Sequence, residues 1–347
     1  MTVRMIDIAR ELGVSLMTVS KALRNHNDIS AKTRDRVLQC ARRLGYRANW
    51  VARSLATSRT YMVGLVIPDL MHSFFAEVAK GIVRKLDPLG YQVIMTNSEE
   101  SPEVEDRQIG VLLSRKIDGI IVASAGTKGD SETLAGLQSR GFPLVLIDRK
   151  PPGVEANYVG VKDEEVGSLA TQHLIEQGCR RIAHIRGPAN STGTGRLHGY
   201  RRMLSKHGLE MGRKYITMGG SSDDSAYQAM RGLLKLDPPP DGVVCFNDPV
   251  AVGAIKAALD AGLDIPDDVA IIGAGNVHYS DLLRIPLSTI DQSSSRIGET
   301  AAGLLADCME KKTKGEVARI LIAPRLVVRD STRRRSSPVV EMLRASG

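Results

Sequence analysis

Polar and aromatic side chains that could bind a ligand follow several short apolar runs of this 347-residue sequence. Arg196, on a predicted helix after Gly187-Pro188, lies beside small polar residues, where a guanidinium needs a partner. Ligands of open α/β sheets bind beyond the carboxyl ends of the strands, so these residues predict a binding cleft. The other candidates are Asp69, His72, Phe74, Phe75, Asn97, Ser124, Asp148 and Asp248.

Motifs of covalent and cofactor chemistry are absent from the sequence. It contains no G-x-S-x-G, H-E-x-x-H or Walker loop, and its histidines are too far apart for a metal site. Gly273-Ala-Gly275 resembles the start of a dinucleotide loop, but His278 replaces the third glycine and Pro286 interrupts the helix that should follow. We expect a plain strand-to-loop turn there, no cofactor and no enzyme. The four cysteines, without C-x-x-C spacing, are predicted to be buried reduced thiols.

Strand-like and helix-like patterns alternate from about residue 60 to 330, which predicts parallel sheets with helices on both faces. This length favours two α/β lobes, with a first crossing between them at 153–160. The predicted strands are 62–68, 91–96, 119–123, 144–148, 181–186, 242–246 and 269–273. Predicted helices include 76–86, 104–114, 164–177, 195–207, 225–236 and 250–261.

The positive charge of the chain is concentrated at its N-terminus. Residues 1–60 hold twelve Lys or Arg and four acidic residues, an excess of eight, which equals the formal net charge of +8 for the whole chain. A cationic module on a neutral body predicts binding to a polyanion. The apolar runs are too short to cross a bilayer and no signal-peptide core is present, so we expect a cytoplasmic location.

Residues 5–23 have the pattern of a helix-turn-helix. Ile8 and Leu12 give the first helix an apolar face, Gly13 permits the positive φ of a tight turn, and Ser15 can cap the second helix. A third helix is predicted from Ser30 to Leu44, ended by Gly45. An ordinary αα-hairpin is the alternative, but the basic charge favours DNA binding.

Two further segments flank the main body. Residues 49–58 could form a helix that is too short to be stable alone. Beyond Asp330 the chain is basic and without a leucine heptad, so we expect a disordered tail and a dimer rather than a tail-mediated tetramer. The predicted organisation is a head at 1–48, a hinge at 49–59, a core at 60–330 and a tail at 331–347.

Several short motifs lie along both parts of the chain: Asp-Ile-Ala at 7–9, Thr-Val-Ser at 18–20, Ala-Arg-Ser-Leu at 52–55, Phe-Asn-Asp at 246–248 and Pro-Leu-Ser-Thr-Ile at 286–290. With these motifs the chain resembles the lactose/galactose repressor (LacI/GalR) family of bacterial transcription regulators over residues 3–330. The resemblance implies an all-α helix-turn-helix head joined to a two-lobed α/β core like that of periplasmic binding proteins, with parallel sheets. It also implies a homodimer that binds a pseudo-palindromic DNA operator and a small-molecule effector, a sugar or related metabolite.

The resemblance places the start of the second helix in the DNA major groove. Leu16, Met17 and Lys21 match base-reading positions, and the two apolar residues favour contacts such as a thymine methyl. Thr18, Ser20 and Asn25 are expected to hold phosphates. Leu55, with Ala52 beside it, matches a leucine that wedges into the minor groove. The alternatives are that Leu16 packs inward and that Leu55 packs on its own hinge-helix partner.

The resemblance also assigns Phe74, Asp148, Arg196 and Asp248 to the effector pocket, where rings stack and charged groups bind hydroxyls or carboxylates. Core packing is the alternative for Phe74.

Two departures from the family pattern affect the effector. Gly275-Asn276 stands where an aspartate pair is usual, so Asn276 replaces an expected acceptor or the acceptor is missing. Ser221 stands where relatives place an aromatic residue. An uncommon effector, control by a protein partner, or no effector are therefore open, and a solute-binding protein is a more distant alternative.

Overall fold

The computed structural model describes residues 3–23, 27–46, 57, 59–127, 132–209, 212–220, 222–310 and 316–334. The chain divides into two compact units, Met1–Thr60 and Tyr61–Gly347. Each unit is considered by itself below.

Three helices lie within the described residues of the first unit: α1 (Met5–Leu12), α2 (Leu16–Leu23) and α3 (Ala31–Leu44). Gly13 (φ 64°) and Gly45 (φ 69°) adopt the left-handed conformation that ends α1 and α3. The hydroxyl of Ser15 accepts a hydrogen bond from the Thr18 amide at 3.0 Å, and that of Ser30 accepts one from the Thr33 amide at 3.2 Å. The predicted turn, stop and caps are confirmed.

The core of this unit is small. Ile8, Val19 and Val37 are fully buried, one from each helix, and Ala9, Ala22, Cys40 and Ala41 fill the space between them. Small residues at the crossing points let the three helices approach closely. Of the hinge predicted at 49–59, all but Thr57 and Arg59 lie outside the described residues.

The second unit contains two six-stranded sheets, which define two lobes. In the first lobe all paired strands are parallel, in the order β11-β5-β4-β3-β1-β2. The strands are β1 (Met62–Ile67), β2 (Gln92–Asn97), β3 (Gly119–Val122), β4 (Leu144–Ile147), β5 (Asn157–Val161) and β11 (Arg319–Ile322). The helices of this lobe are α4 (Ser73–Leu86), α5 (Pro102–Ser114), α6 (Glu132–Ser139) and α11 (Ser294–Met309).

The sheet of the second lobe has the order β12-β10-β9-β8-β6-β7, with only β12 antiparallel to its neighbour. The strands are β6 (Ile182–Arg186), β7 (Ile216–Met218), β8 (Gly242–Cys245), β9 (Ala270–Gly275), β10 (Ser288–Asp291) and β12 (Arg325–Val327). The helices are α7 (Asp163–Glu176), α8 (Ser191–Lys206), α9 (Asp223–Leu233) and α10 (Asp248–Asp260). Buried strands such as β8 and β9 are apolar along their whole length because helices cover both faces.

The two-lobed α/β prediction is confirmed, but the first crossing was misplaced. Residues 153–160 do not cross, because β5 pairs with β4 and β11 inside the first sheet. The chain instead leaves the first lobe after Val161, returns after Asp291, and crosses again between Ile322 and Arg325. All seven predicted strands and six predicted helices are present. The strands that were not predicted are only three to five residues long.

The expected tail boundary at 330 is wrong. Ser331 and Thr332 are fully buried, and their hydroxyls make hydrogen bonds to the second sheet and to a helix that covers it. Ser331 donates to the Ile271 carbonyl at 2.6 Å, and the Thr332 hydroxyl lies 2.7 Å from Nε2 of His173. The second lobe therefore extends to Arg334, whose guanidinium donates to the Asp241 carbonyl at 2.7 Å. Residues 335–347 lie outside the described residues.

Two helices of the first lobe, α4 and α11, pack in close contact. A Cβ atom added to Gly81 would lie 2.3 Å from the Ser295 carbonyl oxygen, and one added to Gly298 would lie 2.1 Å from that of Val78. The glycines therefore set the separation of the two helices.

Cys40, Cys179 and Cys245 are buried free thiols, as predicted, and Cys308 is partly buried. Burial raises the pKa of Cys179 to about 11, which keeps this thiol protonated at neutral pH. Within the part of the chain that the structure describes, His, Cys, Asp and Glu form no cluster of three that could hold a metal ion. No described helix combines the length and the apolar character needed to cross a membrane.

Candidate functional site

A small cavity lies between the lobes of the second unit, beyond the carboxyl ends of strands from both sheets. Its volume is about 20 Å³, enough for roughly one water molecule, so a larger ligand requires the lobes to separate. Five residues predicted for the effector site line it: His72, Phe74, Phe75, Asp148 and Arg196. The other lining residues are Arg149, Phe246, Asn247, Ala274 and Gln292.

Arg196 is held by several protein groups. Its Nε donates to Oδ1 of Asp163 at 3.1 Å, Nη1 to the Phe246 carbonyl at 2.6 Å, and Nη2 to Oε1 of Gln292 at 2.9 Å. The guanidinium also lies over the Phe246 ring, 4.8 Å from its centroid. The hydrogen-bond partners expected for this buried guanidinium are thus protein groups: Asp163, the Phe246 carbonyl and Gln292. Burial raises the pKa of Asp163 to about 6, although Arg196 acts in the opposite direction.

Arg149 also lines the cavity, although it is not among the residues predicted from the sequence. Its two terminal nitrogens donate to the Glu100 carboxylate at 2.5 and 2.8 Å, a bidentate pair. Its Nε makes no hydrogen bond to the described residues and lies 3.6 Å from Oδ2 of Asp148. Its position directly after Asp148, at the end of a buried strand, is the sequence feature that could have identified it as a cavity residue.

Asp148 is buried between the two arginines in a left-handed conformation, with φ 59°. Its main-chain carbonyl accepts a hydrogen bond from the Tyr158 hydroxyl at 2.9 Å. None of the described residues donates a hydrogen bond to its carboxylate. Burial raises the pKa of Asp148, while Arg149 and Arg196 oppose the shift. This carboxylate is therefore an available acceptor for a ligand.

Polar contacts between the lobes hold the cavity closed. The Lys150 amide donates to the Ser191 hydroxyl at 2.9 Å, and Nε2 of His72 lies 2.9 Å from Nδ2 of Asn247. Nδ1 of His72 lies 3.3 Å from the Phe74 amide at the start of α4; because a neutral imidazole accepts at only one ring nitrogen, His72 accepts from Asn247 or from Phe74 but not from both. Burial lowers the pKa of His72 to about 4, so the ring is neutral near pH 7.

Asp248 does not face the cavity, contrary to the prediction. Its carboxylate accepts hydrogen bonds from the Thr289 hydroxyl at 2.6 Å, the Ser280 hydroxyl at 2.8 Å and the Val277 amide at 3.0 Å. It therefore fixes the loop after β9. The neighbouring Asn247 lines the cavity in its place, one residue from the predicted position.

Four further predicted residues are absent from the cavity wall because other groups occupy their polar atoms. Oδ1 of Asn276 accepts from Arg329 at 2.8 Å, and the Ser124 hydroxyl donates to Glu105 at 2.7 Å. The side chains of Asp69 and Asn97 instead accept hydrogen bonds from nearby main-chain amides, at 2.8 and 3.4 Å. All four are structural in this conformation.

In the first unit the start of α2 presents apolar side chains to solvent. Leu16 is 48% and Met17 63% exposed, whereas Val19 and Ala22 of the same helix are buried, so Leu16 does not pack inward. Lys21 forms an ion pair with Asp28. The Thr18 hydroxyl bonds to that of Ser15 at 2.9 Å, and Ser20 is partly exposed. Asn25, Ala52 and Leu55 lie outside the described residues.

Family models match both units of the chain. The model of bacterial regulatory proteins of the lacI family matches residues 4–49. The model of periplasmic binding proteins and the sugar binding domain of the LacI family matches residues 60–329.

Individual proteins are similar over nearly the whole length. Catabolite control protein A of Priestia megaterium is 34% identical over 317 residues, covering 90% of this chain and 94% of that protein. The HTH-type transcriptional repressor PurR of Pasteurella multocida is 33% identical over 331 residues, covering 95% and 98%. The solved structure of the transcriptional regulator CelR in complex with cellobiose has a TM-score of 0.72 at 29% identity, covering 95% of this chain and 99% of that one.

Proposed function

Because the chain belongs to the LacI family of bacterial regulatory proteins, we propose that it represses transcription from a DNA operator under the control of a sugar-like effector. It acts in the cytoplasm and is not an enzyme. The observation that carries the proposal is the convergence of charged and aromatic side chains from both lobes on one cavity, in a chain that begins with a cationic helix-turn-helix unit.

DNA recognition is assigned to the exposed start of α2. Leu16 and Met17 offer apolar atoms to thymine methyl groups, and Lys21 offers a cation once it leaves Asp28. Thr18, Ser20 and Asn25 would hold phosphates, and Leu55 would enter the minor groove. One such head reads only a short half-site, so two copies bind a pseudo-palindromic operator.

In the proposed dimer, the two copies of the chain pack against each other through exposed apolar residues of the second unit. Leu70 is 50%, Met71 90% and Leu282 77% exposed, an exposure unusual for large apolar side chains. Met71 also lines a groove of about 390 Å³ together with Tyr279 and Leu283. Since residues of both lobes contribute, a dimer formed there would respond when the lobes move.

The effector would bind where the cavity widens on opening. Arg196 and Arg149 supply donors, Asp148 supplies a free acceptor, and Phe74 and Phe246 supply faces for a ring. CelR, a similar protein, was solved in complex with cellobiose. A regulator that lacks an effector is the second candidate, favoured by the nearly complete closure of the cavity.

The test is operator binding by the full chain. DNA fragments selected from a random pool are titrated by fluorescence anisotropy, with and without sugars and sugar phosphates at millimolar concentration. Sequence-specific binding that a sugar changes supports the proposal. Specific binding that no metabolite changes favours the regulator without effector, and binding without sequence preference contradicts both.

A further inference from the structure

The part of the cavity wall that β9 forms presents no hydrogen-bonding side chain. Ala274 is the β9 residue that lines the cavity, and its side chain is only a methyl group. Gly275, the last residue of the strand, has φ 142°, a conformation that L side chains rarely adopt. Among the described residues, β9 therefore contributes no polar side chain to the cavity wall.

The nearest polar side chains cannot turn toward the cavity without losing buried hydrogen bonds. The Asp248 carboxylate accepts hydrogen bonds from the Thr289 and Ser280 hydroxyls and the Val277 amide. The side-chain oxygen of Asn276 accepts a hydrogen bond from Nη2 of Arg329, whose Nη1 donates to the Leu287 carbonyl at 2.7 Å. Rotating Asp248 would leave three donors unpaired, and rotating Asn276 would leave Nη2 of Arg329 without this acceptor, which is unfavourable in both cases.

The remaining cavity wall has the opposite character. Asp148, Arg149, Arg196, Asn247 and Gln292 all line it with charged or amide groups. The cavity therefore has one polar region and one apolar region, the latter formed by Ala274 beside the aromatic rings.

We propose that the effector is a sugar-like ring that lacks a hydroxyl, or carries a methyl group, on the edge that faces Ala274. This inference rests on the proposed function, since it concerns the ligand of the same cavity. The oxygen-bearing edge binds Asp148, Arg196 and Asn247. A hydroxyl placed against the methyl of Ala274 loses its bonds to water and gains none from a side chain, which disfavours the fully hydroxylated parent sugar.

Matched sugar pairs test this on the full-length protein. The probes are D-galactose with D-fucose, L-mannose with L-rhamnose, and D-ribose with 2-deoxy-D-ribose, titrated by calorimetry and checked by thermal shift. We expect the tightest binder to be a deoxy sugar that binds roughly tenfold or more tightly than its parent. Preference for the parent in every pair that binds overturns the inference and leaves the proposed function standing. No binding by any of the six overturns the sugar-like effector and this inference with it.

A substitution in the wall adds an independent measurement. Ala274→Ser places a hydroxyl on the apolar region, and we expect the preference for the deoxy sugar to shrink severalfold. Ala270→Ser, in the same buried strand but outside the cavity, should keep the wild-type preference. An unchanged preference in a folded Ala274→Ser protein contradicts the assignment of this wall. If that variant does not fold, the comparison of sugar pairs on the wild-type protein decides.

Discussion

The guanidinium of Arg196 and the carboxylate of Asp163 form a buried ion pair, with 3.1 Å between Nε and Oδ1. Arg196 lines the cavity, whereas Asp163 opens on its other side to a surface groove of about 620 Å³ that also contains Lys150 and Tyr158. The pair therefore separates the cavity from the groove. Any ligand that takes a hydrogen bond from Arg196 must do so beside this carboxylate.

The buried carboxylate predicts a dependence of stability on pH. The pKa of Asp163 rises from 3.8 to about 6 on folding, so the native state binds more protons than the unfolded chain between these values. The contribution of Asp163 to the free energy of unfolding should therefore fall by about 2 kcal/mol as the pH rises from 4 to 7. Urea unfolding at a series of pH values measures it.

Asp163→Asn is the comparison for that experiment. Burial also raises the pKa of other carboxyl groups, Asp148 among them, so only the difference between variant and wild type reports on Asp163. The variant should lose that part of the pH dependence. Parallel curves for the two proteins would mean that Asp163 titrates normally.

A second prediction concerns the contact between α4 and α11. Gly81→Ala should destabilise the protein by about 1–3 kcal/mol, because the added methyl group meets the Ser295 carbonyl. Gly110→Ala on α5 is the matched control, since nothing lies within 4 Å of its added Cβ. That control should be stabilising by about 0.5–1 kcal/mol, the difference in helix propensity. Urea unfolding compares them, and equal effects at the two positions would refute the close contact.

Arg149 and Arg84 each form an ion pair, but in different surroundings. Arg149 is buried and its partner Glu100 is partly buried, whereas Arg84 is largely exposed and Glu299 is partly exposed. Arg149→Met should cost about 3 kcal/mol of stability, because it leaves a partly buried carboxylate unpaired. Arg84→Met should have little effect. A loss at Arg149 no larger than that at Arg84 would show that the bidentate pair contributes nothing measurable.

In the DNA-binding unit, Lys21→Ala should weaken operator binding by about 1–3 kcal/mol. The reason is that Lys21, freed from Asp28, is proposed to contact base edges from α2. Anisotropy titrations at several salt concentrations measure the loss. Lys235→Ala, in the other unit, is the control and should bind like wild type. If the two variants bind equally, Lys21 does not contact the operator.

The proposed dimer surface can be tested with charge. Met71→Asp combined with Leu282→Asp should convert the dimer to a monomer, because it would bury carboxylates in the proposed interface. Val111→Asp, which alters an exposed apolar residue on α5, serves as the control. Analytical ultracentrifugation gives the masses. A double variant that remains dimeric would move the interface elsewhere.

The elements that could be predicted from the sequence are those determined by neighbouring residues in the chain. Gly13, Ser15, Ser30 and Gly45 fix turns and caps through their own main chain, and long apolar strands such as β1 are evident from composition. β7 and β12, of three residues each, are too short for a pattern to emerge, whereas the four-residue strands β3, β4 and β8 were predicted because each is a continuous apolar run. β7 and β12 form because neighbouring strands supply the hydrogen bonds.

The cavity-lining residues were predicted only in part, because a position at the end of a strand shows that a residue lies near the cavity but not whether its side chain points into it. Asp248 and Asn247 are adjacent in sequence, yet the first is bound by Thr289 and Ser280 and only the second reaches the cavity. Those partners lie about forty and thirty residues further along the chain, at positions set by β10 and its preceding loop. No local pattern identifies such partners, so tertiary contacts decided which polar residues face the ligand.

The three crossings of the chain between its lobes limit how this protein can be recombined. The helix-turn-helix unit is one continuous stretch and can be exchanged with that of a relative at a single junction. Neither lobe is continuous, because β11 returns to the first sheet after most of the second has been built. A chimera that exchanges only one lobe therefore needs several matched junctions, and natural recombination is expected to exchange operator specificity far more readily than half of an effector site.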